Sequence, residues 1–144
     1  MNAAADVVVS KPRAPRRLDG RERSIIDSEL ELWGEWWEQN PINGYPSASA
    51  LVAFIEGAGG RRLGSRELHK GMPNAVYWIH QRWLQLESCF QVVIWLHFVP
   101  RVDQETGRCR SDEENAQLLD ISVDAYRMRL TRARYAYIGV PCPL

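Results

Sequence analysis

Residues 111–138 read SDEENAQLLDISVDAYRMRLTRARYAYI. Ser111 with Glu114 three positions on is a capping box, in which cap and acid satisfy two orphan backbone donors reciprocally. A helix of about eight residues follows, packing Ala116, Leu118 and Leu119. Asp120-Ile121 is a tight turn. Ser122 then caps a last helix, 123 to about 138, which packs Ala125, Tyr126, Leu130, Ala133 and Tyr137. Gly139 and Pro141 stop it. Two helices crossing over so short a turn need one small contact residue, here Ala116, and apolar plugs, here Ile121, Tyr126 and Leu130. The spacing is that of a helix-turn-helix at about 111–138. The usual turn residue is glycine, which takes positive φ freely; aspartate tolerates that conformation better than most.

The outer face of the last helix carries Arg127, Arg129, Arg132 and Arg134, with no acid within 125–138. Helical spacing puts Arg127 and Arg134 on one side with Thr131, while Arg129 and Arg132 flank it. A helix lying in the major groove sets its first outward residues on base edges and its arginines on phosphates. The candidate DNA contacts are therefore Ser122, Val123, Asp124, Arg127, Met128 and Thr131, with Arg129, Arg132 and Arg134. A solvated basic face on a plain helical hairpin is the alternative; the cap, the turn spacing and the acid-free arginines together favour DNA.

Working outward, residues 75–98 contain neither proline nor glycine. Val76, Ile79, Trp83 and Leu86 form one apolar stripe, and Phe90, Val93, Ile94 and Phe98 another. The stripes change phase near Glu87-Ser88, which predicts two helices, 75–86 and 88–98, the second ended by Pro100. Upstream, Ile26, Leu30, Trp33 and Trp37 recur at spacings of four, three and four, a helix over 22–39. Ile25, Leu32 and Trp36 widen its stripe, and Asp27, Glu29, Glu31, Glu35 and Glu38 occupy a face read as solvated. Asn40-Pro41 ends it. Ser47 or Ser49 can cap a short helix to about Glu56 that buries Leu51, Val52, Phe54 and Ile55. Residues 57–74 form a glycine-rich basic loop with Arg61, Arg62, Arg66 and Lys70. There is almost no β signal and no internal repeat. The expected architecture is all-α: one compact helical domain over 22–144 that ends in the helix-turn-helix, preceded by a disordered basic tail, 1–21.

That tail holds little that can pack. Its cations include Arg13, Arg16 and Arg17, and it serves either as a solubilising extension or as a phosphate-contacting arm. These three, with Arg61, Arg62, Arg66 and Lys70, are the candidate RNA or phosphate contacts. The 144 residues carry 18 basic and 18 acidic side chains, which excludes a histone-like polycation but not a locally basic surface. Three separated cysteines without a CxxC pair argue against structural zinc and read as reduced thiols in a cytosol. The N-terminus lacks the order of a secretory signal, and the longest apolar run, residues 91–99, is too short to span a bilayer. His69, His80 and His97 have no acid at catalytic spacing. The segment 57–64 lacks a preceding strand and a GK[ST] ending, so it is not an enzyme's phosphate loop. No catalytic site, metal or cofactor is expected. Six tryptophans read as an aromatic core, with a minority available as a protein-contact patch.

Leu30-Glu-Leu-Trp-Gly-Glu-Trp36, followed by Gly44-Tyr-Pro-Ser47, resembles the N-terminal signature of the phage antitermination protein Q family, in the lambdoid branch without a zinc finger. Residues 115–137 resemble the sigma-region-4-type helix-turn-helix of that branch, through Ala116, Ile121-Ser122, Tyr126 and Arg129-Leu-Thr-Arg-Ala133. The likeness spans about residues 24–139; the Asp120 turn and the basic tail depart from it. It implies a protein of the bacterial host cytoplasm that binds a double-stranded DNA element near a phage late promoter. Such a protein loads onto paused RNA polymerase, with or without sigma factor. It narrows the RNA exit channel around nascent RNA, so that terminator hairpins do not form. It implies no chemistry, no cofactor and no membrane. Two other classes fit the residues: a plain helix-turn-helix transcription regulator, and a polymerase-binding module without DNA specificity.

Overall fold

A computed structural model describes residues 15–40, 71–99 and 109–144. The described residues are all-helical, with five helices and no β-strand: α1 (Gly20–Gln39), α2 (Asn74–Leu84), α3 (Ser88–Phe98), α4 (Asp112–Leu118) and α5 (Val123–Ile138). The short helix expected before Glu56, the basic loop with Arg61, Arg62, Arg66 and Lys70, and Arg13 lie outside them.

α1 starts two residues before the boundary at 22. Asp19 is the cap: its carboxylate accepts from Glu22 N–H at 2.7 Å, and Glu22 accepts from Asp19 N–H at 3.2 Å. Arg16 places two 2.6 Å hydrogen bonds on the Glu22 carboxylate and, with the Asp19 amide, holds its pKa down to about 2. The buried stripe is Ile26, Leu30, Trp33 and Trp37, as the periodicity requires. At the far end Asn40 returns both its backbone and side-chain N–H to the Trp36 carbonyl, each at 2.9 Å.

The helix breaks between α2 and α3 without proline or glycine. Gln91 is the buried residue that stabilises the break. Its Nε2 donates to the Trp83 and Leu84 carbonyls at 3.2 and 3.5 Å, while Trp83 Nε1 donates to the Gln91 carbonyl at 3.1 Å. The Trp83 carbonyl, which also accepts from Leu86 N–H at 3.1 Å, and the Leu84 carbonyl thus gain a side-chain partner inside the core.

α3 is the hub. All of residues 91–96 are buried, along with Phe98, rather than one stripe alone. A helix apolar all round needs neighbours all round, and α1, α2, α4 and α5 each pack on it or on one another around it. Gly34 is the point of closest approach: a Cβ there would overlap the Phe98 backbone carbonyl. Around this crossing Trp33 packs against Trp83 and Trp95 with ring centroids 5.2 and 5.6 Å apart. Trp37 lies 5.5 Å from Trp95. His80 is buried within the group and accepts from Trp33 Nε1 at 3.2 Å. Four of the six tryptophans are core; Trp36 is half-buried and Trp78 exposed.

Candidate nucleic-acid interface

α4, the turn and α5 form as local rules dictate. Ser111 accepts from Glu114 N–H at 3.2 Å and Glu114 reaches back to Ser111 N–H at 3.5 Å. Asp120 takes φ 55°, the left-handed conformation that glycine usually supplies, and Ile121 N–H then closes onto the Ala116 carbonyl at 3.1 Å. Ser122 accepts from Ala125 N–H at 3.1 Å and caps α5. Gly139, at φ 72°, ends it. Ala116 is buried at the contact and Leu119 beside it, while Leu118 is half-buried.

Beneath this pair lies a polar network that fastens it to α3. Asn115 is buried and donates through Nδ2 to the Leu96 carbonyl at 3.2 Å and to Tyr126 Oη at 3.1 Å. Arg110 Nε donates to Asn115 Oδ1 at 2.9 Å. Tyr126 Oη lies 3.3 Å from His97 Nδ1. Burial pushes the Tyr126 phenol up to about 12. Burial, reinforced by the nearby Arg134 charge, lowers the His97 pKa from its ordinary value. Asn115 carries no sequence signal of its own, since a polar residue ahead of Ala116 reads as surface.

The expected contact residues separate into three groups. Asp124, Arg127, Met128 and Arg132 are exposed, with Thr131 half-buried among them and Ser122 exposed at the cap. Arg132 makes no ion pair among the described residues. Arg127 does: its Nε reaches Asp112 at 3.1 Å and its Nη2 reaches Glu113 at 3.7 Å, so acids of α4 share the charge. Such exposed pairs are worth roughly 0–1 kcal/mol and yield readily to a phosphate.

Arg129 forms a flank, half-buried, near enough to the start of α3 for its charge to act on Cys89. Val123 is half-buried and packs on the core rather than pointing outward. Ala125, expected to pack, is exposed.

Arg134 departs furthest from its expected place. It is only 8% exposed, with Nε on Asp27 of α1 at 2.8 Å and its guanidinium 5.9 Å from the Phe98 ring centroid. It holds two helices together and is no outward arginine. The acidic face of α1, read as solvated, supplies its partner. Glu29 of the same face accepts from Tyr137 at 3.2 Å, whereas Glu31, Glu35 and Glu38 are exposed. Of the tail arginines, Arg16 is tied to Glu22, and Arg17 is exposed without an ion pair among the described residues.

A second surface lies between α1 and α2. Leu32, Ala75, Trp78 and Ile79 line an open cleft of about 530 Å³, rimmed by Glu29, Arg82 and Gln85. Trp78 is 68% exposed there, and Leu32 is exposed beside it. Among the described residues no group of three metal-ligating side chains converges, and no helix is long and apolar enough to cross a membrane. The chain matches no family model, no curated protein and no solved structure.

Proposed function

We propose that α5 is a DNA-reading helix and that the protein acts on transcription as a late-gene antiterminator of the Q type. One observation carries the DNA reading. A capped helix follows a left-handed Asp120 turn and turns Asp124, Arg127, Met128 and Arg132 outward together, while a buried Asn115–Tyr126 bond holds its base rigid. Rigid presentation of a few outward side chains is what base-edge recognition requires. Arg127 and Met128 lie about one turn in, where base edges are reached; Arg132 and Arg129, further along, suit phosphates.

The polymerase half of the proposal rests on the sequence resemblance and on one surface. An exposed tryptophan in an apolar cleft between α1 and α2 is the kind of anchor that protein interfaces use. That cleft also gives weight to the second reading, a polymerase-binding module with no DNA specificity. A selection from random duplexes decides between them. An enriched site is expected, and a template carrying it upstream of an intrinsic terminator should be read through when the protein is added. No enrichment with read-through intact favours the binding module. Enrichment without any effect on termination favours a plain regulator.

A further inference from the structure

The chain ahead of α1 crosses α5 near its C-terminal end. Leu18 N–H donates to Tyr135 Oη at 2.9 Å, and the crossing leaves Tyr135 buried. Between the crossing chain and the helix is a small cavity of about 90 Å³, lined by Leu18, Arg23, Thr131, Arg134 and Tyr135. That is the space of a few water molecules, at roughly 30 Å³ each.

The cavity is rich in donors and poor in acceptors. Arg134, more than nine-tenths buried, spends Nε on Asp27; its two Nη nitrogens make no hydrogen bond among the described residues. The Arg23 guanidinium has no ion pair there either. Tyr135 Oη accepts from Leu18 and keeps its own proton to give. Thr131 has already given its proton to the Arg127 carbonyl at 3.0 Å, so it supplies wall and not donor. Asp27 is the acid in contact with Arg134, and it sits on Nε, a different edge from the Nη pair.

We propose that this cavity binds one tetrahedral oxyanion, a phosphate group, between Arg23, the Nη edge of Arg134 and the Tyr135 hydroxyl. Two guanidinium forks and a phenol offer several donors to an acceptor-only ligand, the pairing in which charge-assisted hydrogen bonds are strongest. The phosphate comes from a nucleic-acid backbone. Thr131 lies one turn beyond Arg127 on the outward face of α5, so the cavity flanks the surface assigned to the duplex. The oxyanion chemistry stands on the cavity alone; its source rests on the DNA reading above.

The test uses the full chain, sodium phosphate against sodium chloride at matched ionic strength, and a selected duplex. Chemical shifts of the Leu18 amide and the Arg134 Nε–H report the cavity. Arg23 is exposed, so Arg23→Gln leaves the fold intact, which its melting curve verifies; Tyr135→Phe is the second variant. Phosphate, and not chloride, is expected to shift both signals saturably, with affinity about tenfold weaker in Arg23→Gln. Duplex affinity should fall about three- to tenfold in the same variant, and phosphate should compete with the duplex. If phosphate binds through Arg23 while no duplex binds, the DNA reading fails and the site stands as one for free phosphate. If the duplex binds, and needs Arg132, but neither duplex nor phosphate responds to Arg23→Gln or Tyr135→Phe, the oxyanion site is overturned and the DNA reading survives. Equal shifts with phosphate and chloride overturn it too.

Discussion

Gly34 has no side chain because the Phe98 carbonyl occupies the space where one would stand. Gly34→Ala must push α1 off α3 and disturb the tryptophans stacked at that crossing. Its cost should reach the upper end of the roughly 1–3 kcal/mol usual for overpacking. A thermal melt equal to wild type would mean the two helices cross elsewhere. Tyr126 gives a pH signature. With a folded pKa of about 12 against an ordinary 10.0, the unfolded chain loses the phenolic proton first as pH rises. Stability present below pH 10 is therefore lost through the window up to about 12, by about 2–3 kcal/mol. Tyr126→Phe should flatten this alkaline slope. His97 acts at the other end: its pKa lies below the ordinary 6.5, so the unfolded chain takes up the proton first. Stability present above pH 6.5 is lost as pH falls through the folded value, and His97→Gln should remove that component of an acid titration followed by denaturant melts. The packing of Tyr126 was legible from its spacing on the last helix; the roles of Gly34 and His97 were not. A glycine inside a helical stripe reads only as a weak helix former, and the groups that shift His97, Arg134 and Asp112 among them, come from other helices far along the chain.

Elements whose signals are local were legible. The capping box at Ser111, the Ser122 cap, the stop at Gly139 and the α1 stripe all follow from residues within a turn of one another, and they fall where spacing puts them. The α2–α3 break was readable from the phase change, although its cause, Gln91 capping the end of α2 from within the core, was not. The Asp120 turn is the element-scale test. Its φ of 55° costs an ordinary side chain about 1–2 kcal/mol. Asp120→Gly should hold or raise the melting temperature, whereas the β-branched Asp120→Val should lower it. The reverse order would show that Asp120 is kept for its carboxylate and not for its backbone. Ala116→Leu should destabilise by about 1–3 kcal/mol, since Ala116 is buried where α4 meets α5.

Across the whole molecule the long-range polar ties set the arrangement. Asp27–Arg134, Glu29–Tyr137 and Leu18–Tyr135 bind α5 to α1 and to the chain before it, over more than a hundred residues of sequence. Sequence patterning cannot pair such residues, which is why Arg134 was placed among the DNA contacts and the acids of α1 in solvent. One consequence is cooperativity. Tryptophan emission, reporting the α1–α3 core, and far-UV circular dichroism, reporting all helices, should melt at one midpoint. Two midpoints would show that α4 and α5 unfold as a separate piece. Arg134→Ala should lower that shared midpoint, because it leaves Asp27 without its partner at a half-buried site.

If α5 reads DNA as proposed, the chain that crosses it ahead of Asp19 bears on how many counterions a bound duplex would release. With Arg134 turned inward to the cavity and Arg127 assigned to base edges, the outer face of α5 leaves Arg129 and Arg132 to neutralise phosphates. Each neutralised phosphate contributes about −0.9 to the slope of log affinity against log salt concentration. A duplex held by α5 alone should therefore give a shallow slope of about −2, and one gripped as well by Arg17 of the crossing chain and by Arg21 and Arg23 in the first turn of α1, a slope of about −4 to −5. The slope counts the arginines that reach the backbone, and so tells a helix bound by itself from a helix bound together with the segment laid across it.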